Sequence, residues 1–149
     1  QELTPLLKAN PTDVFYQELA AQIALQRGKL TEAAEGFTRI LTKRPDLLLV
    51  RFQLAETQRA LSQPQAAHAN YRKITEEWRV WAEPWHGLGL TYGMMGNLPM
   101  SHLALAQAAL YSANVVEAKA QLAIARNHLE SHPSQEADEW FTSLEEFIK

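Results

Sequence analysis

The 149-residue chain contains no cysteine. This absence excludes disulfide bonds, a thiol nucleophile and a cysteine-ligated zinc site. An excess of positive charge is also lacking: 14 Lys and Arg residues against 17 Asp and Glu residues leave a formal net charge of -3. No stretch has the clustered Lys and Arg that nucleic-acid binding requires. The chain also has no run of about 18 apolar residues, which is the length needed to cross a bilayer. We therefore expect neither a nucleic-acid partner nor insertion into a membrane.

Side chains that could perform chemistry are also few. His128 and His132 lie four residues apart on one predicted helix, but two ligands do not make a zinc site. Leu129 stands where the metalloprotease motif H-E-x-x-H has its catalytic glutamate. The glycines of segment 87–93 lack both the spacing and the preceding strand of a dinucleotide-binding loop. We therefore expect no catalytic residue, no cofactor and no metal site in this chain.

The clearest helical pattern in the chain contains Trp85, Leu88 and Tyr92. Their spacing of i, i+3 and i+7 places them on one stripe of a helix. Gly89 removes a side chain where a neighbouring helix must approach closely. Gly96 then ends the helix and lets the chain turn.

This pattern recurs earlier in the chain at a period of 34 residues. The pairs of residues that are 34 apart include Leu54 and Leu88, Ala55 and Gly89, Ala67 and Ser101, Tyr71 and Leu105, and Phe37 and Tyr71. The period and the order of large and small positions resemble the tetratricopeptide repeat, a hairpin of two helices. The resemblance implies an all-α fold, in which about three to four antiparallel helix hairpins stack as a right-handed superhelix.

Repeat boundaries follow from the same comparison. After Ser101 the next matching small residue is Ala118, and 118 minus 101 is only 17, so one helix is expected to serve two repeats. At the end of the chain an apolar stripe of Ala137, Trp140, Phe141, Leu144, Phe147 and Ile148 faces away from acidic residues, as in a capping helix. We predict the tail of a preceding repeat helix at 1–12, in a piece of a longer protein; an array at 13–133, divided into 13–47, 48–81, 82–111 and a compressed repeat to 133; and a cap at 134–149. The link Trp78–Trp81 is expected to pack over a hairpin junction.

In tetratricopeptide proteins the first helix of each hairpin lines a concave groove that holds a peptide or protein ligand. The resemblance implies that the groove residues are Leu25, Leu49, Phe52, Glu56, Arg59, Glu83, His86, Leu90 and Met94. Members that bind Hsp70 or Hsp90 grip a carboxylate with Lys, Asn and Arg. Here the corresponding positions are Gln17, Ala21, Gln53, Glu83 and Gly87. We therefore exclude a co-chaperone and expect a partly apolar ligand with a few charges.

Longer stretches resemble one particular group of proteins. Segments 14–28, 51–61, 85–96 and 101–113 are similar to the carboxyl-terminal repeat domain of bacterial zinc metalloproteases of the beta-barrel assembly-enhancing type. This implies a periplasmic, non-catalytic docking domain that acts in outer-membrane protein quality control. Its partners would be the protease domain of the same parent chain or outer-membrane assembly components. The alternative is a free-standing scaffold in secretion, pilus or cytochrome assembly.

Overall fold

The computed structural model describes residues 13–149, which form eight α-helices and no strand. The helices are α1 Val14–Gln26, α2 Leu30–Lys43, α3 Leu48–Ala60, α4 Pro64–Glu77, α5 Ala82–Met94, α6 Leu98–Tyr111, α7 Val115–Ser131 and α8 Gln135–Ile148. Short loops such as 27–29 and 44–47 make consecutive helices antiparallel neighbours. The all-α prediction is confirmed, whereas the tail predicted at 1–12 lies outside the described residues. None of the eight helices is long and apolar enough to span a membrane.

Side-chain caps explain where several helices begin. The Asp13 carboxylate accepts hydrogen bonds from the Phe15 and Tyr16 amides at the start of α1. Asn97 caps α6, Asn114 caps α7 and Ser134 caps α8 in the same way. Each cap occupies amides that have no partner inside the helix.

The turns after α1, α3, α5 and α6 share one geometry. A residue of positive φ follows each helix: Gly28 at 75°, Ser62 at 59°, Gly96 at 80° and Ala113 at 59°. The next amide then donates to the carbonyl five residues earlier, as from Asn97 to Tyr92 at 2.9 Å, which is the Schellman way of closing a helix. The turn between α6 and α7 therefore belongs to the same class as the turns inside the first three hairpins. The division into repeats, including the compressed one, stays a prediction.

The described chain forms two compact units, one ending at Asn70 and the other running from Tyr71 to Lys149. The boundary falls inside α4. In the first unit, α1, α2 and α3 pack around a core of apolar side chains, namely Ala21, Ala24, Ala33, Phe37, Ile40, Leu41, Val50 and Leu54. Polar contacts lie around this core. In one of them, the Arg51 guanidinium donates a hydrogen bond to the Asn70 side chain at 2.9 Å.

In the second unit, α5 and α6 approach each other closely at Gly89. A Cβ atom at this position would lie 2.8 Å from the Leu105 side chain and 3.0 Å from the Ser101 carbonyl oxygen. The Ser101 hydroxyl also donates to the Gly89 carbonyl at 2.7 Å. The predicted reason for glycine at this position is therefore confirmed.

Helix α8 packs on α6 and α7 through part of its predicted stripe. Ala137 and Leu144 are buried, and the Trp140 indole N–H donates to Gln107 at 3.2 Å. Phe147, however, is 76% exposed. The prediction that Phe147 packs against the preceding helices is therefore wrong, because the stripe continues on α8 beyond the side chains that cover it.

The Trp78–Trp81 link is more exposed than expected. The two indole rings contact each other with centroids 5.0 Å apart, but Trp78 is 45% exposed and Val80 is 65% exposed. Trp81 is half-buried. Burial of Trp78 over a hairpin junction is therefore not observed.

Candidate functional site

The predicted groove residues of the first unit lie on α1 and α3. Leu49 is 60% exposed and Phe52 is half-buried, so both offer apolar surface to solvent. Leu25 instead packs partly against the core of this unit. Glu56 and Arg59 lie about one turn apart on α3, and the Arg59 guanidinium donates to both carboxylate oxygens of Glu56 at 3.2 Å. These two charges are therefore largely balanced within the protein.

In the second unit, three of the four predicted residues line one open pocket of about 430 Å³. They are Glu83, His86 and Leu90, whereas Met94 lies outside the lining and is 45% exposed. Side chains from α6 and α7 and the turn between them complete the wall. The full lining is Ala82, Glu83, His86, Leu90, Leu105, Ala108, Ala109, Ser112, Asn114, Glu117 and Gln121.

Local helix geometry explains why α5 presents these residues together. Glu83, His86 and Leu90 follow each other at i, i+3 and i+7 and so share one stripe. The opposite stripe contains Trp85 and Leu88, which are buried in the core of the second unit. One helix thus anchors itself with one face and lines the pocket with the other.

The inner part of the pocket is apolar. Leu90 of α5 and Leu105 of α6 are half-buried, so each keeps some surface that a ligand could cover. Ala108 and Ala109 lie beside them and are buried. Because alanine side chains are short, α6 leaves a depression at this point, and an apolar side chain could fill it.

A chain of hydrogen bonds holds the polar wall on α7 in place. The Gln121 amide group donates to the Glu117 carboxylate at 2.7 Å, and its carbonyl oxygen lies 2.7 Å from Nδ1 of His102. Since that oxygen can only accept, Nδ1 of His102 carries the proton. The Glu117 backbone amide is capped by Asn114 at 3.0 Å. The Glu117 side chain is therefore positioned at the pocket rim before any ligand binds.

The charges around the pocket are of one sign. Glu83 and Glu117 line it, and both are exposed, whereas no Lys or Arg belongs to its lining. With histidine counted as neutral, the lining has a formal charge of -2 from these two carboxylates. The pocket thus combines an apolar floor with an acidic rim.

The two histidines considered for metal binding do not lie on one helix, because His128 is inside α7 whereas His132 follows its last residue as the C-cap. His128 stacks face to face on His102, with ring centroids 5.5 Å apart. Within residues 13–149, no group of three or more His, Asp and Glu side chains is placed to hold a metal ion.

The positions that would form a chaperone-type carboxylate clamp offer no cation. Ala21 and Gly87 are buried in their respective units, and Glu83 carries the opposite charge. The exclusion of a co-chaperone stays a prediction from the sequence.

Sequence reasoning missed the contributions of α6 and α7 to the pocket. It assigned ligand binding to the first helices alone and so omitted Leu105, Ser112, Glu117 and Gln121. The available signal was the 17-residue offset between Ser101 and Ala118. A helix that serves two repeats is the second helix of one and the first helix of the next, and first helices line the groove.

Comparisons with known proteins identify the fold but no sequence family. No protein-family model and no curated protein sequence matches the chain. Among solved structures, the crystal structure of MamA matches with a TM-score of 0.75 and 19% identity, covering 97% of this chain and 83% of that one. The first TPR of Spaghetti (RPAP3), bound to the HSP90 peptide SRMEEVD, matches with a TM-score of 0.67 and 14% identity, covering 78% and 93%. The thermophilic TPR protein TTC0263 of Thermus thermophilus matches with a TM-score of 0.55 and 22% identity, covering 95% and 86%. The chain therefore has the fold of the tetratricopeptide repeat proteins.

Proposed function

We propose that this chain is a non-catalytic protein-interaction domain that binds an extended, partly apolar segment of a partner protein. The observation that carries this proposal is the pocket in the second unit, where Glu83, His86 and Leu90 meet the α6 and α7 side chains. Apolar side chains at regular intervals in a peptide can insert into such depressions while its backbone remains partly solvated. A few inserted anchors supply most of the binding energy in interfaces of this kind.

The first unit supplies a second, smaller apolar surface. Leu49 and Phe52 on α3 are accessible, and the neighbouring Glu56–Arg59 ion pair is compatible with a neutral segment. Among the structural neighbours, the RPAP3 repeat domain is bound to a peptide, so the fold is suited to this kind of ligand. We expect affinity in the micromolar range (about 1 to 100 μM), because an extended segment loses conformational freedom on docking.

For the parent protein, we propose a periplasmic zinc metalloprotease that acts in outer-membrane protein quality control, with this domain as its docking part. Support comes from the sequence resemblance of segments 14–28, 51–61, 85–96 and 101–113. The bound segment would then come from an unassembled outer-membrane strand, from an assembly component or from the protease domain itself. The discriminating observation is the parent reading frame, which should encode H-E-x-x-H and a signal peptide upstream of Gln1.

A free-standing scaffold is the second candidate. It would be an adaptor for secretion, pilus or cytochrome assembly, and the tetratricopeptide repeat fold that the chain shares with RPAP3 and TTC0263 is compatible with this role as well as with a docking domain. This candidate predicts further helical repeats upstream and no protease motif.

The binding proposal is tested by titrating the isotope-labelled chain with peptides from outer-membrane barrel strands and following the amide chemical shifts. Two single variants of the whole chain test the two units separately. Phe52→Ala removes an apolar anchor of the first unit, and Leu90→Ala removes one of the second. We expect shifts around these residues and at least a fivefold loss of affinity (about 1 kcal/mol) for a variant that removes an anchor.

The matched control variants are Phe147→Ala and Val116→Ala, which remove exposed apolar side chains on α8 and α7 outside the pocket lining. They should bind like the natural chain. Shifts confined to residues around Phe147 or Val116, or full affinity in Phe52→Ala and Leu90→Ala, would refute the assigned surfaces.

A further inference from the structure

We propose that the pocket in the second unit selects a cationic side chain, Lys or Arg, placed next to an apolar anchor in the bound segment. This inference rests on the proposed function, since it names the kind of segment that the pocket holds. Its basis is the charge of the lining, in which Glu83 and Glu117 occur without any Lys or Arg.

The two carboxylates come from different helices, so they approach the pocket from different walls. Glu83 lies in the first turn of α5 and Glu117 in the first turn of α7. The Gln121 amide donates to one Glu117 oxygen, Oε1. A carboxylate has about four lone-pair sites on its two oxygens. Glu117 therefore keeps acceptor capacity for a ligand while its side chain is held in place.

An acidic or carboxylate-terminated segment fits this pocket poorly. Its negative charge would approach two like charges with no compensating cation in the lining, and like-charge contacts are a common means of rejecting the wrong partner. A fully apolar segment could cover Leu90 and Leu105 but would leave the acidic rim without a partner. A segment with one cation beside an apolar side chain satisfies both parts of the pocket.

The first unit provides a contrast within the same protein. There the acidic Glu56 is already paired with Arg59 at 3.2 Å, so we expect little charge selectivity on α3. Selectivity for a cation should therefore depend on the second unit alone.

The experiment uses three capped nonapeptides that alternate Ser and Leu and differ only at the central residue, which is Lys, Met or Glu. Blocked termini remove the end charges. Each peptide is titrated into the chain at low salt, with affinity measured by calorimetry and location by amide shifts. We expect the Lys peptide to bind about fivefold more tightly than the Met peptide, with the Glu peptide weakest, and high salt to reduce the difference.

Charge variants then assign the selectivity to the two carboxylates. The double variant Glu83→Gln, Glu117→Gln should bind the Lys and Met peptides with equal affinity. The single variant Glu83→Gln should reduce the preference for the Lys peptide in part. Substitution of both by Lys should make the Glu peptide the tightest ligand. The matched control is Glu130→Gln with Glu146→Gln, which removes the same charge from exposed sites outside the pocket lining and should keep the preference.

The outcomes separate this inference from the proposed function. Equal affinity for all three peptides, with shifts at Leu90 and Ala108, would overturn the cationic selectivity and leave peptide binding in place. A preference that survives in the Glu83 and Glu117 variant, or disappears in the Glu130 and Glu146 control, would also overturn it. Failure of all three peptides to bind would overturn both.

Discussion

The close packing of α5 can be tested by replacing its glycines one at a time with alanine. A Cβ atom on Gly87 would lie 2.4 Å from two ring carbons of Tyr71 and 2.7 Å from its hydroxyl oxygen. Carbon atoms in ordinary contact are about 3.5–4.0 Å apart, so the ring would have to move by about 1 Å. Tyr71 is 0% exposed, so its ring cannot move into solvent without leaving its buried site. Gly87→Ala should therefore be destabilising.

Two opposing effects determine the size of this change. Overpacking of a buried site costs about 1–3 kcal/mol, and a rigid buried ring should place Gly87→Ala near the upper end. Alanine is preferred over glycine inside a helix by about 1 kcal/mol. The net loss in the free energy of unfolding should thus be about 2 kcal/mol. With an m-value of about 2 kcal/mol/M, the urea midpoint should fall by roughly 1 M.

Gly93 on the same helix is the matched control. A Cβ atom there would lie 3.4 Å from the Ser101 hydroxyl oxygen, with no other atom within 4 Å. Only the gain in helix propensity then remains, so Gly93→Ala should raise the stability by about 0.5–1 kcal/mol. Urea denaturation followed by circular dichroism measures both variants under the same conditions.

A double-mutant cycle identifies Tyr71 as the cause. In a Tyr71→Leu background the ring is gone, so adding Gly87→Ala should cost less than about 0.5 kcal/mol or should stabilise the chain. If Gly87→Ala is as stable as the natural protein, or its cost is the same in both backgrounds, the described contact between α4 and α5 is wrong.

Features that depend on local geometry could be predicted from the sequence. The stripe of Trp85, Leu88 and Tyr92 is buried because residues at i, i+3 and i+7 share a helix face in any helix. The resemblance to tetratricopeptide repeat proteins named Glu83, His86 and Leu90 as groove residues, and in the structure these three line the pocket on the opposite face of α5. The recurrence of this pattern at 34 residues was enough to predict an all-α repeat fold.

Features that depend on how far a neighbouring helix reaches could not be predicted. Phe147 continues the apolar stripe of α8, but no side chain of the second unit covers it, so it stays exposed. Leu105 contacts the Gly89 position and also lines the pocket. The 17-residue offset indicated that α6 faces α7 as well as α5, but the repeat pattern does not show which α6 side chains reach the pocket. The Glu117–Gln121–His102 hydrogen bonds depend on the same arrangement and leave no trace in the repeat pattern.

Two further changes test the turns and the end of the chain. Ser62 and Ala113 hold the left-handed conformation with φ of 59°, which costs L-residues about 1–2 kcal/mol, whereas glycine adopts it freely at some cost in chain entropy. Ser62→Gly and Ala113→Gly should each raise the free energy of unfolding by roughly 1 kcal/mol, and unchanged or lower urea midpoints would contradict the described turns. On α8, Trp140→Ala should lower stability by about 3 kcal/mol, because it removes a half-buried indole and leaves its acceptor, the buried Gln107, without that donor. Phe147→Ala removes a smaller aromatic ring that is 76% exposed, so its melting temperature should stay within about 2 °C of the natural protein. Equal losses from both substitutions would mean that the far end of α8 is packed, against the described exposure of Phe147.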